Sequence, residues 1–322
     1  MKKPCIIALA SIALFSQQAP RNLTRTDVDR MTKDLSNWGR WGKEDQKGSV
    51  NLITDERRKA SAKLVREGIT VSLARPLDFE KAADNASPYI REMTSTGEKP
   101  TSGAGMDKFE VAYHGWAHTH MDALSHIFYR GEMYNGFSQT EVTRTGANKL
   151  DVANYRGGIV TRAVLFDIPR LKGVPYLEPG DAIYQEDLDA WLKQTGIRMQ
   201  SGDVMLVRTG RWARRAAKGA WNLGEGAPGL YVSTMPWIKK AGVAILGSDA
   251  TSDVLPSQVE GIFLPVHRIA IVALGIPLLD NCDLEAVAEV AARLKRWEFQ
   301  IVVAPLPSPG GTGSPVNPIA IF

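Results

Sequence analysis

Four of the five histidines in this 322-residue chain fall within one thirteen-residue stretch, His114-Gly-Trp-Ala-His118-Thr-His120-Met-Asp122-Ala-Leu-Ser-His126. The fifth, His267, lies far downstream. Imidazoles packed into an apolar interior leave polar nitrogens to satisfy, and a polar group buried without a partner is costly. Imidazole is also the commonest metal ligand and the side chain that most readily exchanges a proton near neutral pH. Any fold of this chain has to gather the stretch where those nitrogens have something to bind.

The spacing says how. His118, His120 and Asp122 alternate with Thr119 and Met121. In an extended strand side chains repeat every two residues, so these three would share one face. Two imidazoles and a carboxylate suit a divalent first-row ion such as Zn²⁺ or Mn²⁺. His126 follows Asp122 by four positions and stays over the same site if the chain turns helical there. His114 precedes His118 by four and could reach in from a bend. The competing reading is that some of these histidines are ordinary hydrogen-bonded residues of core or surface.

The rest of the chain reads as one mixed α/β domain, residues 21–322, built around a β-sheet or barrel-like core. Thr54-Asp55 can cap a helix over residues 56–66, stopped by Gly68. Residues 71–77 read as a strand. Residues 84–108, rich in Gly, Ser, Thr and Pro, read as a long loop and a candidate active-site flap. Further strands are expected at 157–168, 203–208, 243–246 and 299–306. Helices are expected at 185–193, 232–240 and from a cap at Asp283 to about 296.

At 23% charged residues and a net charge of +4, nothing points to nucleic acid. The basic residues Arg211, Arg214, Arg215 and Lys218 read as a solvated helix face. Cys5 and Cys282 exclude a disulfide framework, and Cys282 reads as a buried, inert thiol. Residues 1–20 resemble a secretory signal, with Lys2 and Lys3 before an apolar run too short to span a bilayer. A periplasmic or secreted protein is expected, the alternative being a cytoplasmic chain with an apolar extension. No later apolar segment suggests a membrane span.

The histidine stretch resembles the signature of the putative cyclase, or kynurenine formamidase-like, family of metal hydrolases, H-x-G-T-H-x-D-x-P-x-H. Residues 119–126 match its T-H-x-D-x-P-x-H part, with Leu124 for proline. The family's first histidine falls on Trp116 and its glycine on His118, so His118 or His114 would have to supply the missing imidazole. The likeness continues through Trp41-Gly42, Gly48-Ser49-Val50-Asn51-Leu52-Ile53-Thr54, Tyr134-Asn135-Gly136, Gly247-Ser248-Asp249 and Thr312-Gly313-Ser314-Pro315. In that family a later histidine and an acidic residue hold a second ion with the signature aspartate as bridge. Here these correspond to His267 and Asp280, the latter an Asp where the family has Glu.

The resemblance implies a swivelling β/β/α-type fold, assembly as homodimers or homotetramers, and cleavage of carbon–nitrogen bonds in small amides, formamides or lactams. It gives His126 the role of catalytic acid and base, and His114, His118, His120, Asp122, His267 and Asp280 as candidate metal ligands. Trp116, Phe128, Tyr129 and Tyr134 could line an apolar substrate pocket. Cyclase or dehydratase chemistry, and a non-catalytic exported metal-binding protein, are the alternatives.

Overall fold

The computed structural model describes residues 20–98 and 103–322. The signal segment expected at 1–20 lies almost wholly outside the described residues. The architecture is mixed α/β around one curled nine-stranded sheet that forms a half-barrel, as the sequence leads one to expect. Its strands are β1 (Thr70–Ser72), β2 (His120–Asp122), β3 (Ile159–Asp167), β4 (Val204–Arg208), β5 (Ile245–Ser248), β6 (Leu278–Asp280), β7 (Glu298–Val303), β8 (Gly313–Pro315) and β9 (Ile319–Ile321). They lie in the order β1-β9-β7-β3-β4-β5-β6-β2-β8. The central run β3-β4-β5-β6 is parallel, and the flanking pairs are antiparallel.

Parallel strands are covered on both faces and read as continuous apolar runs. That holds here. Val164, Phe166, Met205, Val207, Leu246 and Leu278 enter one apolar core. The residues alternating with them, Ala163, Leu165, Val204, Leu206, Ile245 and Leu279, enter a second core on the opposite face. Helices Gln185–Thr195 and Met235–Ala241 pack on the first side, and Glu285–Leu294 on the second.

Most elements arise where the sequence places them, with shifted ends. The helix capped by Thr54 spans Asp55–Ala62 and stops short of Gly68. The strand expected at 71–77 is only β1, whose pairing with β9 ends at Ser72 opposite Ile319. The long loop is the larger departure. Ile90–Ser95 and Met106–Glu110 pair as an antiparallel ribbon exposed on both faces. Its polar composition suits a solvated ribbon as well as a loop, which is why composition alone misled. Pro265–His267 runs directly into a buried π-helical stretch, Arg268–Leu274, a geometry frequent at functional sites. Among the described residues no helix is long and apolar enough to cross a membrane.

Candidate metal centre

Strand β2 lies between β6 and β8, and register decides the site. Asp280 of β6 pairs with His120, and Gly313 of β8 pairs with Asp122. Met121 points into the second core, so His120 and Asp122 share the opposite face with Asp280. A Cβ at position 313 would meet Met121 O at 2.6 Å and His114 Cε1 at 2.9 Å, so only glycine lets β8 lie this close.

Asp122 is the hub. Its Oδ1 lies 2.9 Å from His114 Nδ1, 3.4 Å from His120 Nε2 and 3.9 Å from His126 Nε2. Its Oδ2 lies 3.8 Å from His267 Nε2, which is itself 3.1 Å from Asp280 Oδ2. Two groups of ligand atoms result, His114–Asp122–His126 and His120–Asp122–Asp280, each within 4.8 Å and both sharing Asp122.

Three rings are held from behind. His120 Nδ1 donates to the carbonyl of His118 at 2.8 Å, and His267 Nδ1 donates to Asp253 Oδ2 at 2.6 Å. Both rings thereby turn Nε2 inward, toward the Asp122 and Asp280 carboxylates. His114 Nε2 meets Thr312 Oγ1 at 3.0 Å, which leaves Nδ1 facing Asp122 when Nε2 donates. His126 stacks on His114 with centroids 3.9 Å apart and planes 2° from parallel.

The residues fit a divalent cation. Neither oxygen of the buried Asp122 carboxylate receives an aligned hydrogen bond, and a buried charge needs a partner. Burial alone would raise the Asp122 carboxyl. The imidazoles of His126, His120 and His114 instead hold it well below the usual carboxylate range. Burial pushes the His126 imidazole down to about 4, with His114, His267 and His120 adding to the effect against the pull of Asp122. His120 and His267 go the other way. Burial lowers them, but Asp122 and Asp280 raise His120, and Asp280 and Asp253 raise His267 well above an ordinary imidazole.

The structure thus gathers His114, His120, Asp122, His126, His267 and Asp280. His118 does not join them. The strand begins only at His120, and the backbone bends through residues 114–118, so the alternation expected from 118 to 122 stops at 120. The His118 side chain is buried with neither nitrogen hydrogen-bonded, and only its carbonyl serves the site.

Three expectations about the surroundings need correcting. Arg211 is not on a solvated face but fully buried. It donates to Asn281 Oδ1, to Asp84 Oδ2 at 3.2 Å and to the carbonyl of Trp116, and burial draws its pKa down to about 10. This one guanidinium ties the histidine stretch to the turn after β6. Tyr134 is a core residue whose hydroxyl donates to Asp45, not a pocket wall. Tyr129 lies under the Arg268 guanidinium, 3.6 Å from its ring centroid. Trp116 joins an apolar cluster with Trp221, Leu223, Ala250, Leu255 and Leu264, while Phe128 is exposed. Cys282 is buried, with its thiol pushed well up by burial, as expected of an inert cysteine.

Sequence reasoning missed Asp253, Thr312 and Arg211. The polar run at 248–253 between two apolar segments was the available signal for Asp253.

The family model described as "Putative cyclase" matches residues 30–253, well over half of the chain. Among solved structures, a crystal structure described as a novel cyclase is 31% identical, with a TM-score of 0.81, covering 90% of this chain and 99% of that one. Isatin hydrolase A from Ralstonia solanacearum is 21% identical, with a TM-score of 0.57 and coverage of 78% and 91%. An isatin hydrolase bound to the product analogue thioisatinate is 17% identical, with a TM-score of 0.56 and coverage of 82% and 95%. The latter two share the fold. No curated protein matches the sequence.

Proposed function

We propose a function on the premise that this chain belongs to the putative cyclase family: it is a metal-dependent hydrolase that opens a carbon–nitrogen bond of a small amide, formamide or cyclic lactam. One observation carries the reading. A buried carboxylate, Asp122, has both oxygens without hydrogen bonds and four imidazole nitrogens within 4 Å. His114, His120, Asp122, His267 and Asp280 would hold the ion, Zn²⁺ or Mn²⁺. When bound, such an ion polarises a carbonyl and lowers the pKa of water from about 15.7 to about 7.

The chain's own residues supply the remainder. His114 and His126 are about a quarter exposed, while His120 and His267 are buried, so the cluster opens on one side only. His126 stands at that open side and is farther from Asp122 Oδ1 than His114 or His120. It is placed to take the proton of a water whose oxygen adds to the carbonyl carbon. It then gives that proton to the nitrogen as the carbon–nitrogen bond breaks, a role worth about 10²–10⁴-fold. Trp116 and Leu264, half-buried against an apolar cluster and close in sequence to His114 and His267, are the apolar side chains to try for contact with a ring. The fold shared with isatin hydrolases supports a lactam as the first substrate to try.

The 31% identical relative described as a cyclase favours one second reading, in which the same groups close a ring with loss of water. Export to the periplasm and assembly as a homodimer or homotetramer complete the proposal. The test is metal analysis of purified protein paired with a screen of N-formyl aromatics, isatin-like lactams and simple esters. Turnover abolished by a chelator and restored by Zn²⁺ or Mn²⁺ supports it. Turnover of these substrates by metal-free protein overturns it.

A further inference from the structure

Behind the cluster, the segment 248–253 touches two members of its buried edge, His267 and Asp280. We propose that Asp253 is a positioning residue, which locks the His267 ring with Nε2 aimed at Asp280 and Asp122 and so prepares a cation position there. This inference rests on the metal-dependent reading above.

The geometry is specific. Asp253 is buried, and its Oδ2 accepts from His267 Nδ1 at 2.6 Å and from the His267 backbone N–H at 3.1 Å. Its Oδ1 accepts from the Val266 N–H at 2.7 Å. One carboxylate thus grips the ring and the backbone that carries it. A carboxylate only accepts, so Asp253 keeps a hydrogen on Nδ1, and Nε2, which faces the Asp280 carboxylate, is the nitrogen that would exchange its proton for a cation. Carboxylates behind ligating histidines fix the tautomer in this way.

The same segment steadies the partner. Ser252, in the left-handed region at φ 57°, brings its Oγ to 3.1 Å from Asp280 Oδ1, while its N–H donates to Ser248 Oγ at 2.8 Å. Asp280 is therefore gripped by Ser252 on one oxygen and faces His267 with the other. Gly229 makes room for this turn, since a Cβ there would lie 2.4 Å from the Asp253 carbonyl.

The competing role for Asp253 is only to cap the short helix that begins at Pro265. Asn caps a helix about as well as Asp. Asp253→Asn therefore separates the two roles.

The experiment titrates metal-free protein with Zn²⁺ alone by calorimetry and follows the low-field imidazole N–H resonance of the Zn²⁺-loaded protein. Asp253→Asn is expected to weaken Zn²⁺ binding about 10–100-fold and to shift or remove that resonance. Its metal-free thermal midpoint should stay close to that of the unmodified protein. Ser252→Ala, which removes one hydroxyl, should weaken Zn²⁺ binding by less, and it provides the test should Asp253→Asn not fold. Unchanged Zn²⁺ affinity in the folded variant, with the resonance in place, overturns the positioning role and leaves the hydrolase reading standing. Unmodified protein that binds no Zn²⁺ overturns both.

Discussion

The two edges of the cluster use the same side chains for different ends. On the buried edge, His120 comes from β2, Asp280 from β6 and His267 from the short helix Pro265–His267. Their rings are held by a backbone carbonyl and a carboxylate. On the open edge, His114 is held only by a threonine hydroxyl, and His126 stacks on it at the surface. A ligand needs a fixed lone pair, whereas a proton carrier needs access to solvent and substrate. The contrast assigns holding chiefly to the first edge and proton transfer to His126 on the second, with His114 and Asp122 joining the two.

Asp122→Ala should have the largest effect, because it removes the group that both edges share. Bound metal and turnover should both be lost, as read by metal analysis and a hydrolysis assay. His126→Ala should then split from His120→Ala. The former is expected to lower kcat by about 10²–10⁴-fold while keeping its metal, and the latter to lose metal as well. Equal metal loss in both would erase the distinction between edges.

Arg211→Met probes the frame that supports them. Asp84 keeps the Arg215 guanidinium at 2.7 Å, but Asn281 Oδ1 loses the Arg211 donor, and a buried acceptor left unsatisfied costs about 1–3 kcal/mol, readable as a fall in the urea midpoint. Trp116→Ala should be mildest, raising KM for aromatic substrates with metal content unchanged.

His120 and His267 on the buried edge and His126 on the open edge titrate in opposite senses in the metal-free protein. His120 and His267 have raised values, so the stability they add is complete below about 6.5, the ordinary imidazole value, and fades as pH rises through the raised values. His126 is pushed down to about 4. Its charged form is disfavoured by folding, so stability is lost as pH falls from about 6.5 toward that value. A divalent cation should reverse the alkaline arm, because ligands must be deprotonated to bind and its stabilisation grows with pH. Urea unfolding across this range, with chelator and with Zn²⁺, measures both arms.

What could be read from the sequence was local. The two-residue period placed His120 and Asp122 together because β2 is a real strand, and the apolar runs of β3, β4, β5 and β7 announced a buried sheet. His267 and Asp280 were reached only through resemblance to a family, since their approach depends on the pairing of β6 with β2. The expectation for His118 failed because nothing in a run of alternating residues marks where a strand begins. Arg211 was misread for a related reason. Its partners Asp84, Trp116 and Asn281 lie far away in sequence, and a basic helix start with distant partners looks like a solvated one. The polar run at 248–253 marked Asp253 only as unusual, since a carboxylate shows its role only when the ring it faces is in place.

The central claim is that a doubly charged cation belongs at Asp122. The most direct test is an anomalous-difference map from a crystal of protein grown with Zn²⁺. A peak about 2.0–2.2 Å from Asp122 and from imidazole nitrogens of the surrounding histidines is the expected result. A map with no peak at Asp122, from protein that still turns over its substrate, would contradict it.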